Sequence, residues 1–436
     1  MISIDEIKSK TENIDTYDYY GKVSRVTGLT VESDGPVTQI GELCRIYSLD
    51  ESCSSVAEVT GFKENKVVLM PFGELRGVGP GSKIISEKRS LQVKISDDLV
   101  GRILNGLGDP IDDKGDISGG EYYNVSNSPP NPLKRKRIHD IMPLGIKAID
   151  GLITCGSGQR VGIFAGSGVG KSTLMGMIAR NAQADMNVIV LVGERGRELN
   201  DFIEKDLQEE GLKKSVIVVA TSDQPALIRL KSAMVGTAIA EYFREKGKNV
   251  LLLMDSVTRF AMAQREIGMA MGEPPVSRGY TPSVFTELPK LLERTGTSDK
   301  GAITGLYTVL VDGDDLNEPI TDSVRSILDG HIVLSRQLAN QNHYPAVDVL
   351  ASISRLMNDI ADPEHKKAAN SIKNLMAVYR NAEDLINIGA YKKGSNPEID
   401  EAIAVHNKIN EFLRQEIGDS FEFDDIVERL KKIQKG

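Results

Sequence analysis

The chain has 436 residues, of which 40% are hydrophobic and 26% are charged, and its formal net charge is −9. This balance is that of an ordinary globular protein, and the length exceeds what one hydrophobic core usually serves, so two or three domains are expected. The negative charge excludes a general basic surface for nucleic acid, although not a local basic groove. The three cysteines (Cys44, Cys53 and Cys155) form no C-x-x-C pair, which indicates a reducing compartment and no metal cage.

Residues 1–20 are predicted to form an arm ahead of the first domain. The segment 1–16 is polar and acidic, which favours a short helix or a loose arm over a cleaved secretion signal. Nowhere do about 18 apolar residues run together, so no membrane span is predicted. Any membrane contact is therefore expected to go through a partner or a surface patch.

Residues 21–90 have the pattern of a small β domain. The runs GKVSRV, AEVTGF and NKVVLMPF alternate with Gly, Asp and Asn turns, which predicts a barrel or a sandwich. Residues 91–142 are predicted to connect this domain to the next, and the part 113–133 is rich in Gly, Ser, Asn and Pro. The basic run KRKR at 134–137 is interpreted as a solvated turn rather than as a nucleic-acid patch.

The next predicted domain, residues 91–357 including that connecting segment, alternates strands with helices. The strand-like runs are VGIFA (161–165), VIVLV (188–192), VIVVA (216–220), VLLLMD (250–255) and ITGLYTVLV (303–311). Stretches of helical period lie between them, for example 171–183 and 224–246. This alternation predicts a parallel, doubly wound α/β sheet. Residues 358–436 show only helical spacing and are predicted to form a C-terminal helical domain.

The stretch FAGSGVGKST (164–173) suggests a phosphate-binding loop, although it departs from the strict pattern G-x-x-x-x-G-K-[ST] by having Ala165 at the first glycine. An apolar strand precedes the loop and a helical pattern follows, which is the context that the motif requires. The glycines turn backbone N–H groups inward, and the helix N-terminus adds positive charge, so polyphosphate is the expected ligand. Lys171 is expected to reach the β- and γ-phosphates, and the Ser172 hydroxyl to ligate Mg²⁺.

Two further strands end in carboxylates that belong to the same chemistry. The run VLLLMD places Asp255 at the carboxyl end of its strand, where it can hold the water shell of Mg²⁺. The run VIVLVGERGRE ends with Glu194 at the same predicted edge, where a carboxylate can accept a hydrogen bond from the attacking water. Taken alone, this second group favours a solvated charge cluster at a strand end over a catalytic carboxylate.

Taken together, the motifs are recognisable. They are GRILNGLGDPID, GSGVGKST, GERGRE, LLLMDSVTRFAMAQREIG, GEPPVSRGYTPSVFTELPKLLERTG, VDGDDLNEP, RSILDGHIVLSR, HYPAVDVLASISR and INIGAYKKGSNPEIDEAI. In this order they resemble the catalytic subunits of rotary ATPases and, more closely, the flagellar type III protein-export ATPases. The likeness runs from about Gly21 to Asn410, and the family often has alanine where this chain has Ala165. It implies a multi-domain α/β protein with an N-terminal β-barrel, a central P-loop (RecA-like) α/β nucleotide-binding domain and a C-terminal helical domain.

The resemblance implies a role for each matching residue. The ATP-binding set is Gly166, Ser167, Gly168, Val169, Gly170, Lys171, Ser172, Thr173 and Tyr344, the last of which stacks on adenine in the family. The catalytic set is Lys171, Glu194, Arg195, Arg259 and Arg355. Within it, Glu194 polarises water, the arginines at 195 and 259 lie near the γ-phosphate, and Arg355 is a finger that enters the neighbouring subunit's site. The Mg²⁺ residues are Ser172 and Asp255, the latter through water.

The resemblance also implies partners and a location. One chain type with all of these residues favours a homo-hexameric ring. The loop GDDLNEP (313–319) matches one that faces a coiled-coil stalk at the ring centre, and the N-terminal arm matches the place where a stator-like regulator binds. Export chaperones, export substrates and a membrane export gate are the further expected partners, with no nucleic acid. The expected location is the cytoplasm, at the inner face of the plasma membrane.

The function that follows from this resemblance is Mg-dependent ATP hydrolysis coupled to chaperone release and to delivery of export substrates. Four alternatives stay open: the ATPase of a virulence type III secretion system, an ATP synthase-type catalytic subunit, a ring RNA translocase, and a nucleotide-holding subunit without turnover. GERGRE and residues 272–289 argue against the synthase. The acidic balance argues against the RNA translocase, and Glu194 argues against the subunit without turnover.

Overall fold

The computed structural model describes residues 19–434 except Asp312, Asp314 and Leu316. The chain separates into two compact units, with the division between Leu91 and Gln92. Nearly all of the predicted N-terminal arm, and part of the loop 313–319, therefore lie outside the described residues.

The first unit is a closed six-stranded barrel. Its strands are β1 (Tyr20–Thr27), β2 (Thr30–Asp34), β3 (Glu42–Tyr47), β4 (Ser54–Lys63), β5 (Lys66–Pro71) and β6 (Lys83–Ser90). They pair in the order β1-β2-β5-β4-β3-β6, and the alternate apolar side chains fill the interior. Val31, Cys44, Ile46, Val59 and Leu69 are among these interior residues, and all five are fully buried. The predicted N-terminal β-barrel is confirmed.

The second unit is built on one large sheet. Its strands are β8 (Ile103–Asn105), β10 (Arg160–Ala165), β11 (Met186–Glu194), β12 (Ser215–Thr221), β13 (Asn249–Asp255), β14 (Gly296–Thr297), β15 (Ala302–Leu310), β16 (Gly330–Leu334) and β17 (Val347–Ser354). The order is β17-β16-β10-β15-β13-β11-β12-β8, and β14 pairs with β15. All neighbours are parallel except β17 on β16 and β14 on β15. A separate antiparallel pair joins β7 (Gln92–Ile95) and β9 (Glu121–Asn124).

Helices connect and cover these strands. They are α1 (Lys147–Leu152), α2 (Lys171–Asn181), α3 (Gly196–Asp201), α4 (Gln208–Lys213), α5 (Ala226–Glu245), α6 (Val257–Ala270), α7 (Pro282–Leu292), α8 (Pro319–Ile327), α9 (Arg336–Asn340) and α10 (Met357–Ile360). A π-helical turn, Phe202–Leu207, joins α3 to α4, and short 3-10 turns occupy Asp97–Leu99, Pro132–Lys134 and Ser277–Gly279.

The central sheet carries side chains into apolar layers on both faces, because successive residues of a strand point in opposite directions. On β11, Ile189 and Leu191 belong to the same buried cluster as Leu174 of α2. Val190, between them, packs against Gly236 of α5, where a methyl group would collide with it. The doubly wound α/β arrangement predicted from the alternating pattern is therefore confirmed.

Three long helices end the chain: α11 (Pro363–Asn387), α12 (Pro397–Leu413) and α13 (Phe423–Gln434). The first two begin at a proline and are capped by the side chains of Asp362 and Asn396, which accept backbone N–H groups of the first turn. Their buried faces continue the core of the central sheet, through residues such as Phe412 and Ile426. The predicted C-terminal helical region is confirmed. Among the described residues, no helix has both the length and the apolar character needed to cross a membrane.

The basic run at 134–137 differs from its prediction at one residue. Lys134, Lys136 and Arg137 are exposed, as a solvated turn requires. Arg135 is partly buried, and its guanidinium donates to the carbonyl oxygens of Thr295 (2.8 Å) and Glu293. The prediction is wrong for Arg135 because two distant backbone carbonyls, which sequence spacing does not reveal, stand opposite it.

Candidate active site

The phosphate-binding motif lies between β10 and α2, as the sequence predicts. Gly168 and Gly170 have φ values of +77° and +85°, in the left-handed region that glycine adopts without strain. Ala165 is the last residue of β10 and pairs with Leu310 on one side and Leu334 on the other. Its methyl group is buried in extended strand structure, which explains why alanine replaces glycine at this position of the motif.

A cavity of about 480 Å³ opens in front of this loop. The predicted residues that line it are Gly166, Ser167, Gly168, Gly170, Lys171, Ser172, Thr173, Glu194, Arg195 and Arg259. Its size is within the range of small-molecule sites. Val169 is the exception among the loop residues, because its side chain turns into the core and is 1% exposed.

A buried charge pair forms the floor of the site. Lys171 Nζ lies 2.5 Å from Asp255 Oδ1, and Asp255 is 4% exposed. The Thr308 hydroxyl donates to the same Oδ1 atom at 2.6 Å. The carboxylate at the end of β13 is thus both ion-paired and hydrogen-bonded, as a buried charge requires. The paired lysine and aspartate are 84 residues apart in the chain and come together because β10 and β13 both flank β15.

Glu194, the last residue of β11, is the second carboxylate at this edge of the sheet. A bulge at Gly193, whose φ is +68°, precedes it and brings the backbone against the side chain of Arg259. Burial raises the pKa of Glu194 to about 7, and the charge of Asp255 acts in the same direction. The charges of Lys171 and Arg259 oppose this rise. The group is therefore poised to take up a proton near neutral pH.

Two arginines approach the cavity in different ways. Arg195 is largely exposed, and its guanidinium pairs with Glu198 at 2.9 Å. Arg259 lies in the first turn of α6, and its Nε is buried without a hydrogen-bond partner among the described residues. A buried donor without an acceptor is costly, so this group fits a site that receives an anion. The chemistry of Arg259 and the phosphate loop therefore suits polyphosphate.

Tyr344 lies beside the phosphate loop rather than in the lining of the cavity. A Cβ placed on Gly170 would be 3.3 Å from Tyr344 Cε1, and the tyrosine is 41% exposed. Its carbonyl oxygen accepts the backbone N–H of Gln415 at 3.0 Å. The ring thus stands where α2 begins, with an exposed face.

Arg355 is the one predicted site residue that the fold separates from the others. It follows β17, which runs antiparallel to β16, and Ser354 pairs with Gly330 at the start of β16. The phosphate loop follows Ala165, which pairs with Leu334 at the other end of β16. Four residues of strand correspond to roughly 13 Å. The exposed Arg355 side chain therefore lies at the opposite edge of the sheet from the cavity of its own chain.

Sequence reasoning missed two threonines. Thr308 donates to Asp255, and Thr258 accepts the backbone N–H of Leu310 at 2.9 Å beside the cavity. A threonine inside the apolar run ITGLYTVLV was the available signal for Thr308, because a buried hydroxyl needs a partner. For Thr258, in the first turn of a helix, the sequence offers no signal.

Comparisons with known proteins agree along most of the chain. Residues 23–87 match the beta-barrel domain of the ATP synthase alpha/beta family, residues 145–354 match its nucleotide-binding domain, and residues 361–432 match the T3SS EscN ATPase C-terminal domain. The flagellum-specific ATP synthase of Bacillus subtilis is 58% identical, over 93% of this chain and 92% of that protein. The type 3 secretion system ATPase of Xanthomonas euvesicatoria is 48% identical, over 95% and 94%.

Solved structures give the same result. The assembled ATPase EscN of the enteropathogenic E. coli type III secretion system superposes with a TM-score of 0.90 at 46% identity, over 95% of this chain and 100% of that chain. The structure of EscN in complex with its central stalk EscO gives a TM-score of 0.88 at the same identity and coverage.

Proposed function

Because the chain belongs to the ATP synthase alpha/beta family and is an ATPase, we propose that it hydrolyses Mg-ATP for the flagellar type III protein export apparatus. The observation that carries the proposal is the convergence of Lys171, Asp255 and Glu194 at one edge of the sheet, in front of a phosphate loop. The higher identity to the B. subtilis protein than to the X. euvesicatoria protein supports the flagellar role.

In the proposed mechanism, the loop Gly166–Thr173 receives the polyphosphate. The backbone N–H groups of the loop and the N-terminus of α2 supply partial positive charge, and Lys171 supplies a full one. On ATP binding, we propose that the Lys171 ammonium turns from Asp255 to the β- and γ-phosphates. The unpaired Nε–H of Arg259 then gains an acceptor, so that binding removes the cost of a buried, unsatisfied donor.

Glu194 is the proposed acceptor for the attacking water. The carboxylate takes a hydrogen bond from that water and orients it towards the γ-phosphorus. Its raised pKa makes it a stronger base than an exposed glutamate, because burial disfavours the charged form that a proton would neutralise. Arg195, at the rim of the cavity, and Arg259, within it, are assigned to the γ-phosphate.

Mg²⁺ is the proposed cofactor. The Ser172 hydroxyl, in the first turn of α2, would bind the ion directly, and Asp255 would bind it through water. Oxygen donors of this kind suit the ion, which usually has few protein ligands and shares the substrate's phosphates. We assign Asp255 to the water shell of the ion because its Oδ1 already accepts the hydrogen bond from Thr308. When bound, the ion neutralises charge that develops on the phosphate oxygens.

The proposed working form is a homo-hexameric ring in which Arg355 reaches into the neighbour's cavity. The position of Arg355 at the far edge of its own sheet supports action in trans, and the likeness to an assembled EscN supports a ring. An arginine that enters a phosphoryl-transfer site neutralises charge that develops in the transition state. Tyr344 is proposed to stack on the adenine of its own chain.

The remaining partners are proposed on likeness alone. The EscN–EscO complex supports a central stalk for this chain, with the loop 313–319 as its contact. A stator-like regulator at the N-terminal arm, export chaperones with their substrates, and a membrane export gate complete the proposal. The proposed place of action is the cytoplasmic face of the plasma membrane. Hydrolysis is proposed to release substrates from chaperones and deliver them to the gate.

The experiment that tests this function is the ATPase rate per chain, measured against protein concentration with Mg²⁺ and without RNA. A rate per chain that rises steeply with concentration is expected, because a neighbour completes each site. A flat rate together with monomers in sizing at every concentration would contradict the trans finger. Turnover that depends on added RNA would favour the RNA translocase instead.

A second candidate function, the ATPase of a virulence secretion system, is favoured by the structural likeness to EscN. The two roles share all of the chemistry and differ in cargo. Expression of this chain in a flagellated bacterium that lacks its own export ATPase separates them. Restored swimming is expected for the flagellar role, and restored secretion of virulence substrates without swimming would favour the other.

A further inference from the structure

The backbone of Arg355 is anchored by a buried polar network. Its N–H donates to the carbonyl oxygen of Asp329 at 3.0 Å. The same oxygen accepts from Nε2 of Gln159, also at 3.0 Å, and Gln159 is fully buried. That Nε2 also donates to Oγ of Ser354 at 3.2 Å, and this hydroxyl donates to the carbonyl oxygen of Thr154 at 2.8 Å. Both Arg355 and the residue before it are thereby tied to the segment that leads into β10.

The Asp329 carboxylate connects this polar network to Arg160, the first residue of β10. Arg160 Nε donates to Oδ2 at 3.0 Å, Arg160 Nη2 donates to Oδ1 at 3.1 Å, and the Arg160 backbone N–H donates to Oδ2 at 3.1 Å. Such a bidentate pair fixes orientation as well as distance. The guanidinium also lies 2.5 Å from Glu293 Oε1, so Arg160 is itself held from two sides.

The Arg355 side chain has no comparable restraint. It is exposed, and among the described residues its guanidinium has neither a hydrogen bond nor an ion pair. The position from which it projects is therefore set by its backbone alone. A long side chain that must reach a phosphate of another chain needs a fixed origin, because a displacement of about 1 Å can lower a rate by about 10²-fold.

We propose that Asp329 is a positioning residue for Arg355: the Asp329–Arg160 pair fixes the point from which the arginine extends into the neighbouring subunit's site. The inference rests on the proposed action of Arg355 in trans. Asp329 itself is far from the cavity of its own chain, since it precedes Gly330 at the start of β16. Its contribution is therefore to the donor side of an interface and not to nucleotide binding in its own chain.

Subunit mixing tests this assignment, because it separates the two sides of an interface. Lys171→Ala chains have a defective nucleotide site and an intact finger, whereas Arg355→Ala chains have an intact site and no finger. Mixed in equal amounts, this tester pair should regain turnover, since about a quarter of the interfaces in a random ring combine the intact halves. Asp329→Asn is then mixed with each tester in turn, with rings sized before every assay.

Asp329→Asn alone should lower turnover by up to about 10²-fold and leave the affinity for a fluorescent ATP analogue at the wild-type value. Mixing it with Lys171→Ala should restore turnover, and mixing it with Arg355→Ala should not, because both partners of the latter mixture lack a well-placed finger. The opposite pattern would place the defect in the variant's own nucleotide site and overturn the inference. Wild-type turnover by the variant alone, or no rescue by either tester in intact rings, would overturn it as well.

Two further variants serve as a matched control and as a substitute for Asp329→Asn. Asp112→Asn removes the carboxylate of another bidentate pair, with Arg102 beside the edge strand β8, and should behave as wild type in both mixtures. If Asp329→Asn does not enter rings, Ser354→Ala replaces it in the test. This variant removes one hydroxyl of the polar network, and it should show a weaker form of the same result, with rescue by Lys171→Ala and none by Arg355→Ala. No rescue within the tester pair itself, with rings present, would overturn the trans finger and not merely its anchor.

Discussion

The two edges of the central sheet differ in how they hold charge. At the carboxyl edge, Asp255 is buried beneath Lys171, and Glu194 has a raised pKa with arginines around it. At the amino edge, Arg160, Asp329 and Glu293 form an ion-paired network beside an Arg355 that is exposed. The first edge forms a cavity that suits a polyanion. The second edge holds the backbone from which one cationic side chain, that of Arg355, extends.

This difference indicates a division of labour within a single chain. A site that binds ATP needs partly unsatisfied groups, which exist at the carboxyl edge in Arg259 Nε and in a carboxylate with a shifted pKa. A donor to another chain needs a fixed origin, which the ion pairs of Arg160 supply at the amino edge, and one side chain that projects outward. The predictions below test whether the two edges contribute separately.

The largest effect is expected for Arg355→Ala. Loss of an arginine finger should lower kcat by about 10³–10⁵-fold, while ATP affinity stays unchanged because the finger neutralises charge that develops only in the transition state. ATPase assays at saturating ATP, with a titration of fluorescent ATP analogue, measure both. Arg355→Lys is the matched control and should recover part of the rate, since it retains charge without the planar fork. An equal loss of affinity would remove the distinction between the edges.

Glu194→Gln should have the next largest effect. Loss of the water-orienting carboxylate should lower kcat by about 10²–10⁴-fold without weakening ATP binding. In the wild-type protein, kcat should fall as the pH drops through about 7, because protonation removes the hydrogen-bond acceptor. The pH profile of the residual activity in the variant should lack this step. A variant that keeps the step would show that another group titrates.

Thr308→Val should have a smaller effect, on the order of tenfold in kcat, because it removes one charge-assisted hydrogen bond to Asp255. Thr304→Val on the same strand is its matched control. The Thr304 hydroxyl oxygen accepts the backbone N–H of Gly158 at 2.8 Å near the amino edge. Both variants should lose about 1–3 kcal/mol in the free energy of unfolding, measured by denaturant titration. Equal loss of turnover in the two would contradict the separation of the edges.

The smallest effect concerns stability against pH. Glu194 has a pKa of about 7 in the folded state, against an ordinary value of 4.5, so the folded state binds more protons than the unfolded state between these two pH values. The wild type should therefore lose stability as pH rises through this window, and Glu194→Gln should not. The Tm of the variant minus that of the wild type should increase between pH 5 and about pH 8, measured by thermal scans. A Tm difference that does not change with pH would contradict the raised pKa of Glu194 in the folded state.

Local pattern was sufficient for most of the fold. Strand runs such as 250–255 and helical stretches such as 224–246 match β13 and α5 within a few residues. The phosphate loop was recognisable despite Ala165, since strand, glycines and helix follow one another directly in the chain. Burial periodicity and glycine conformation are properties of short segments, so the sequence carries them without reference to the rest of the molecule.

Contacts between distant segments were beyond that pattern. Thr308 and Asp255 are 53 positions apart in the chain. Arg135 is 158 and 160 positions away from the two residues whose carbonyl oxygens accept its hydrogen bonds. The Thr308–Asp255 contact depends on which strands are neighbours, and strand order is set by the packing of the whole sheet. The Arg135 contacts depend on where the fold places the connection between α7 and β14.

The sequence by itself therefore determined the elements, the phosphate loop and the residue types that a nucleotide-hydrolysing site needs. Only the tertiary structure decided where those residues stand. It brought Glu194, Asp255 and Lys171 to one edge because parallel strands share a carboxyl end. It carried Arg355 to the other edge because β17 runs antiparallel to β16, and reversing a strand moves its last residue from one end of its neighbour to the other.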